Sequence, residues 1–168
     1  MDKKPDKIRD IFIEALGNFG ESLGLNRTTC QIYALLYLSC KPLSPTEIGN
    51  ILKMSKGNVS LNIRKLEEWD AIKRVWRKGY SRAVFQANHN FEDIILRKLE
   101  NGLKKRTEQL KNYICEIIKI IENLNKVDNE RTKEIKFYKE KIKFVNNFIN
   151  KIDSLLENFE YIKSFIKK

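Results

Sequence analysis

Few side chains in this sequence are suited to catalysis or metal binding. The single histidine, His89, has no cysteine or acidic cluster beside it, which is typical of a capping or surface residue. Cys30, Cys40 and Cys115 lie far apart and form no C-x-x-C pair, so we expect neither a zinc site nor a disulfide framework. No Ser-His-Asp set, H-E-x-x-H motif or phosphate-binding glycine loop is recognisable. We therefore predict no catalytic residue, no metal, no cofactor and no enzyme.

The chemistry that the sequence does favour is electrostatic attraction to a polyanion. The 168 residues carry 33 Lys and Arg against 22 Asp and Glu, a formal net charge of +11. Residues 25–88 hold 11 Lys and Arg against 4 Asp and Glu, a net +7, which is the largest excess per residue in the chain. A cation placed on a phosphate releases a condensed counterion, which favours binding to nucleic acid. A lysine-rich composition can also be a solvated surface, so the partner has to be argued from the fold.

Hydropathy points away from membranes. The longest apolar run, Ile32–Leu38, is far shorter than the roughly 18–20 residues that a transmembrane helix needs. The polar start of the chain is followed by no apolar stretch of the kind found in a signal peptide. Unpaired cysteines suit a reducing compartment. We expect a cytoplasmic protein with no membrane partner.

The middle of the chain predicts a pair of helices joined by a tight turn. Two apolar helices precede it, over residues 7–24 and about 27–39. Ser44 can cap the next helix, with Pro45 at its first position and Glu47 bonding back to the cap's amide. That helix runs to about residue 52 and is followed by a short link.

The helix after the link carries the main candidate site residues. Ser55 can cap it and it reaches Trp69, with Val59, Ile63 and Leu66 turned inward. The candidates on or near its outer side are Ser55, Lys56, Asn58, Ser60, Leu61, Arg64 and Lys65. Ser44 and Thr46 on the preceding helix are further candidates.

A β-hairpin is predicted next. Residues 71–76 and 82–87 are rich in β-branched and aromatic side chains and are separated by a short loop containing glycine. Three cations, Arg77, Lys78 and Arg82, lie at or beside its tip. An exposed turn made soluble by charge would look the same, but the order of the elements favours a binding role.

The predicted order of elements is that of a winged helix-turn-helix: two helices, a capped helix, a tight turn, another helix and a hairpin. In that motif the second helix of the pair enters the major groove and its first residues meet base edges, while the wing reaches the minor groove or the backbone. Asn58 could pair with adenine, Lys56 could reach guanine or a phosphate, and Leu61 could meet a thymine methyl group. The expected partner is double-stranded DNA.

The stretch from Leu35 to Ala87 resembles the GbsR branch of the MarR-like regulators. The segments PLSPTEI, MSKGNVS, LEEW and RVWRKG carry the match. The resemblance implies a homodimer with two winged domains on a helical platform, which represses by occupying a pseudo-palindromic operator. The family usually has glycine where this chain has Asp70, and aspartate tolerates the left-handed conformation better than most residues.

The resemblance also raises the question of a small-molecule effector. Some members respond to choline-like osmolytes, and the rings of Trp69 and Trp76 could hold such a cation. Ordinary packing is the favoured interpretation, with Trp69 closing the core behind the recognition helix and Trp76 lying along a wing strand. The sequence does not identify an effector.

The remaining residues, 89–168, predict coiled-coil-like dimerisation. Apolar residues recur every seven positions in two series, with a break near residue 128. The predicted dimerisation residues are Leu103, Leu110, Ile117, Ile135, Ile142, Ile149, Ile152 and Phe159. The whole is a mainly α protein with an N-terminal helix over 1–24 that joins the dimer platform, a winged domain over 25–88 and a helical dimerisation region over 89–168.

The sequence thus favours a DNA-binding transcription regulator. Two alternatives stay open: a non-specific architectural DNA-binding protein, and a winged-helix module that binds protein while its basic surface serves solubility.

Overall fold

A computed structural model describes residues 4–76, 78–79, 83–124, 132–159 and 161. The elements follow the chain as α1 (Lys4–Ser22), α2 (Arg27–Leu38), α3 (Pro45–Leu52), α4 (Lys56–Glu68), β1 (Ile72–Val75), β2 (Val84–Ala87), α5 (Phe91–Leu124) and α6 (Thr132–Glu157). They fall into two compact units, Met1–Ile95 and Leu96–Lys168. Within these described residues, none of the helices combines the length and the apolar composition needed to cross a lipid bilayer.

Helix α2 is the centre of the first unit. Ile32 through Leu36 are all buried, so this helix has almost no solvent face along its middle. The inward side of α4 packs on it through Val59, Ile63 and Leu66, as the sequence predicted, and Ile48 of α3 is also fully buried. Burying side chains of this size contributes about 1.5–3 kcal/mol each. This core holds α3 and α4 at a fixed angle.

Helix α1 meets α2 through a face that contains both apolar residues and glycines. Ile13, Gly17 and Gly20 are buried, whereas Ile8 and Ile11 are 66% and 60% exposed. The glycines permit a close approach that a larger residue would block. A Cβ added at Gly20 would lie 2.2 Å from Cys30 Sγ. Small residues therefore share this contact with the bulky side chains of α1.

Two residues with positive φ close the turns around α4. Lys53 ends α3 at φ 53°, and Asp70 follows α4 at φ 56°. Asp70 has the left-handed backbone expected for a position where the resembled family uses glycine. Its carbonyl accepts a hydrogen bond from Asn88 Nδ2 at 3.0 Å, which ties the end of α4 to the residue that follows β2.

The predicted hairpin is present as a two-stranded antiparallel sheet. Ile72 pairs with Ala87 and Val75 pairs with Val84. Phe85 also forms a bridge with Leu43, so the segment before α3 lies against β2. The sheet is thereby fixed to the start of the helix pair.

The second unit contains two described helices, α5 and α6. Helix α5 ends at Leu124 and α6 begins at Thr132, and residues 125–131, where the break was predicted, lie outside the described residues. Lys111 of α5 forms an ion pair with Asp153 of α6. A groove of about 190 Å³ is lined by residues of both helices. The helices therefore pack antiparallel within one chain.

Candidate nucleic-acid interface

The helix pair α3–α4 begins with two serine caps. Ser44 Oγ accepts from the Glu47 amide at 3.2 Å, and Glu47 Oε2 accepts from the Ser44 amide at 2.7 Å. This reciprocal pair is the predicted capping box. Ser55 Oγ accepts from the Asn58 amide at 3.3 Å and caps α4. The caps satisfy amides that would otherwise lack partners and fix where each helix begins.

The outer side of α4 is open to solvent. Val59, Ile63 and Leu66 take the inward positions, and the polar residues between them, apart from the buried Asn62, face out or lie at the edge of the helix face. Leu61 is 54% exposed, which is unusual for a leucine in a polar helix face. The candidates that are exposed are Ser55, Lys56, Asn58, Ser60, Leu61 and Arg64, and Lys65 is half-buried. The structure therefore brings the sequence-predicted recognition residues together on one accessible surface.

A cleft of about 290 Å³ lies between α3, α4 and β1. Lys56, Ser60 and Arg64 line it from α4, and Thr46 lines it from α3. Thr46 is exposed, whereas Ser44 is buried with its hydroxyl oxygen held in the capping box. Arg74 of β1 and the carboxylate of Glu67 also line the cleft.

The cations of this surface differ in how they are paired. Arg74 on β1 donates to both carboxylate oxygens of Glu67, and this hydrogen bond, together with the Coulombic attraction, raises the pKa of the guanidinium. That arginine is already neutralised by its partner. Lys56 and Arg64 are exposed on the outer face of α4 and keep their charge directed to solvent. They are the better candidates for phosphate contacts.

A buried polar network behind α4 was missed by the sequence analysis. Asn62 and Thr29 are 2% and 0% exposed, and Thr29 Oγ1 donates to Asn62 Oδ1 at 2.6 Å. Asn62 Nδ2 in turn donates to the backbone carbonyl of Asn58 at 2.8 Å and to Asn58 Oδ1 at 2.7 Å. An asparagine among the inward residues of α4 was the signal available. A buried amide of this kind needs partners, and here one partner is a candidate base-reading residue.

The wing is described only in part. Lys78 is exposed beside Gly79, which has φ 84°, while Arg77 and Arg82 lie outside the described residues. Trp76 is 83% exposed, so the expectation that it packs along a wing strand is wrong. The tryptophan directly follows Val75, the last paired residue of β1.

The remaining reactive side chains form no site among the described residues. His89 is exposed, with its ring 5.1 Å from that of Tyr37. Cys30 is buried, and burial raises the pKa of its thiol to about 11. Cys40 and Cys115 are exposed, and no group of three or more potential metal ligands occurs in the part of the chain that the structure describes.

Trp69 packs against the core, as predicted. The apolar cavity beside it, lined also by Phe19, Cys30, Tyr33 and Phe91, measures about 10 Å³. A single water molecule needs about 10–15 Å³. This cavity has no room for an osmolyte.

The predicted dimerisation residues divide into two groups. Leu103, Leu110 and Ile117 on α5 are 40–43% exposed. Ile135 and Ile149 on α6 are buried within the chain, and Ile142, Ile152 and Phe159 are half-buried. Since Lys111 and Asp153 pair across the two helices, the inward stripe of α6 packs on α5 of the same chain. Ile135 and Ile149 are therefore covered within one chain, and a contact of these two residues with a partner chain stays a prediction.

Two helices joined by a tight turn, with a third helix behind them and a β-hairpin beside them, define a winged helix-turn-helix. The fold class predicted from the sequence is confirmed. The class is compatible with nucleic-acid binding through the exposed face of α4.

No family model matches this chain. Its sequence is similar to two curated proteins of Bacillus subtilis (strain 168): the "Putative HTH-type transcriptional regulator YvaV", 23% identical over 95 residues, and the "HTH-type transcriptional repressor GbsR", 24% identical over 96 residues. Each alignment covers 54% of this chain, and the chain spans about half the length of these relatives, 54% and 53%.

Two solved structures are also similar. One is a "transcriptional regulator" with 19% identity and a TM-score of 0.47, covering 91% of this chain and 98% of its own. The other is "transcriptional regulator Tm0710" of Thermotoga maritima, with 20% identity and a TM-score of 0.41, covering 88% and 98%. The sequence matches confirm the resemblance to the GbsR branch of the MarR-like proteins, and both matched proteins are named as HTH-type regulators of transcription.

Proposed function

We propose that this protein is a cytoplasmic DNA-binding transcription regulator that acts as a homodimer. Each protomer inserts α4 into the major groove of a half-site and sets its basic wing on the minor groove or the backbone. Occupancy of a pseudo-palindromic operator then represses transcription, as the name of the similar repressor suggests. The observation that carries the proposal is the outer face of α4, where Lys56, Asn58 and Leu61 are all exposed.

Three side chains on this face offer different contacts to DNA. Asn58 carries hydrogen-bonding atoms for a base edge, Leu61 an apolar surface for a thymine methyl group, and Lys56 a charge for guanine or phosphate. The first turn of α4 also provides free amides and the positive end of a helix dipole, which favour a phosphate. Base reading and backbone positioning can therefore occur on one helix.

Sequence-specific binding is tested by Asn58→Ala. The variant should lose about 1–3 kcal/mol on a preferred duplex and much less on a random duplex of equal length. Competition titrations of wild type and variant on both duplexes measure the difference. Equal losses on the two duplexes would favour the architectural alternative, and failure of the wild type to bind any duplex at low salt would favour a protein-binding module.

Phosphate contacts are tested by salt dependence. Lys78→Ala in the wing should lower affinity for all sequences alike and reduce the slope of log K against log salt by about 0.9. Lys136→Ala removes the same charge from the exposed side of α6 and serves as the matched control. If both variants change the slope equally, net charge rather than a wing contact governs binding.

Dimerisation is assigned to the outer stripe of α5. Leu103, Leu110 and Ile117 repeat every seven residues and stay partly exposed after the hairpin has formed. Coiled-coil seams use this spacing to bury one helix against a partner. Ile8 and Ile11 of α1 are further exposed apolar residues that a second copy could cover, which supports a contribution of α1 to the platform.

A further inference from the structure

We propose that Trp76, the residue that follows β1, packs its indole ring on the sugar-phosphate backbone of duplex DNA beside the groove that α4 occupies. The inference rests on the proposed function. It adds to the wing a residue whose contribution is mainly apolar and independent of base sequence, whereas the wing residues predicted from the sequence are all cations.

The ring of Trp76 lacks a cover within the protomer. Its exposed fraction is 83%, the highest of the large apolar side chains that the structure describes, whereas Trp69 packs against the core. Tryptophan is on average a well-buried residue, and it is enriched where a protein surface meets a partner. Burying a large apolar side chain is favourable. We therefore infer that a binding partner covers this ring.

The charge around Trp76 indicates what kind of partner this is. Residues 71–88 hold five Lys and Arg and no Asp or Glu. Lys73 and Lys78, on either side of Trp76 in the chain, are both exposed. An apolar partner would bury these cations without a counter-charge, which is costly. A DNA backbone instead offers phosphates to the cations and deoxyribose carbons to the ring, and the indole N–H can donate to a phosphate oxygen.

The sheet places Trp76 on the side of α4. Arg74 donates to both carboxylate oxygens of Glu67 and lines the cleft with Lys56 and Arg64, so the face of β1 that carries Arg74 is turned toward the cations of α4. Successive residues of a strand project to opposite faces, so we expect Trp76, two positions after Arg74, to project from the same face. A duplex bound to the outer face of α4 should therefore also meet this ring.

Fluorescence tests the contact directly, because the two tryptophans of the chain have opposite environments. In Trp69→Phe the emission comes from Trp76 alone, and a saturating duplex should lower its quenching by acrylamide. In Trp76→Phe the emission comes from Trp69, the matched control, and its quenching should change little. If Trp69→Phe is unstable, the emission of the wild type minus that of Trp76→Phe gives the same signal. The anisotropy of labelled DNA confirms saturation.

Removing the ring should affect binding differently from removing a charge. Trp76→Ala should raise the dissociation constant about 5- to 50-fold on preferred and random duplexes alike, from partial burial of the ring and one hydrogen bond. A neutral side chain releases no counterion, so the slope of log K against log salt should keep its wild-type value, whereas Lys78→Ala reduces it. The melting temperature should stay unchanged, because the ring is exposed.

The outcomes separate this inference from the proposed function. A wild-type protein that binds no duplex overturns both. Unchanged acrylamide quenching of Trp76 in the saturated complex, or unchanged affinity in Trp76→Ala, overturns the inference alone. A loss confined to the preferred duplex would show a base contact and overturn the assignment to the backbone. Vesicles of anionic phospholipid are titrated in parallel, and protection of Trp76 by vesicles but not by DNA would assign the ring to a membrane surface and overturn the inference.

Discussion

The division of the heptad residues between α5 and α6 predicts opposite effects for two substitutions of similar size. Leu110 lies on the outer stripe of α5 and is 43% exposed, whereas Ile149 lies on the inner stripe of α6 and is 1% exposed. Leu110→Ala should weaken association between two copies and leave the folding of each copy nearly unchanged. Ile149→Ala should weaken folding itself.

The size of the first effect follows from the exposed fraction. Fully burying a leucine is worth about 1.5–3 kcal/mol, so burying the remaining part of Leu110 contributes about 0.6–1.3 kcal/mol in each copy. A twofold axis doubles this to about 1.3–2.6 kcal/mol, which raises the dissociation constant about 10- to 70-fold. The buried Ile149 should instead cost about 2–5 kcal/mol of unfolding free energy.

Sedimentation velocity over a wide range of protein concentration measures the dissociation constant, and denaturant unfolding measures the stability of the fold. The reasoning is refuted if Leu110→Ala dissociates at the same concentration as the wild type. It is equally refuted if Ile149→Ala dissociates the protein without lowering its stability, because the inner stripe would then be the interface between chains.

Three further experiments test the fold: two compare substitutions and one labels the cysteines. Gly20→Ala should lower the unfolding free energy by about 1–3 kcal/mol, because the added Cβ clashes with Cys30 Sγ. Gly102→Ala is the control: it has open space around it inside α5 and should raise the unfolding free energy by about 0.5–1 kcal/mol. Denaturant titrations compare the two variants, and equal effects would contradict the close contact between α1 and α2. Ser44→Ala should lower the unfolding free energy by about 1 kcal/mol, whereas Ser44→Asp, which can also cap the helix, should restore most of that loss. Thermal melts measure both variants, and an unchanged melting temperature in Ser44→Ala would contradict a role of the capping box in stability. Burial raises the pKa of Cys30 to about 11, so its thiol is protonated at neutral pH and should resist alkylation in the native protein, while the exposed Cys40 should react. Alkylation followed by mass spectrometry measures both, and equal labelling of the two cysteines would contradict the burial of Cys30.

The parts of the fold that were predicted correctly depend on local chemistry. The caps at Ser44 and Ser55 and the left-handed turn at Asp70 involve residues within a few positions of each other. The inward face of α4 follows from the helix period, so Val59 and Leu66 could be assigned from spacing alone. These features require no knowledge of what lies across the core.

The parts that were missed depend on contacts between distant segments. Gly20 gives no apolar signal, yet its contact with Cys30 decides which face of α1 is buried. A heptad repeat identifies apolar positions but does not say which helix covers them, so Ile149 and Leu110 looked equivalent. The network behind Asn58 joins Asn62 of α4 to Thr29, which lies 33 positions away in the chain. Spacing within α4 alone could not reveal its partner.

The central claim is that the exposed face of α4 reads a sequence in duplex DNA, and selection of bound fragments from a random duplex library tests it most directly. The account predicts an enriched motif of two inverted half-sites whose centres lie one helical turn apart, about 10–10.5 base pairs, or a multiple of that spacing. The preference at the base that Asn58 contacts should be lost in Asn58→Ala, and the whole motif should be kept in Lys136→Ala. Recovery of fragments with no common motif, or of the same motif by Asn58→Ala, would contradict it.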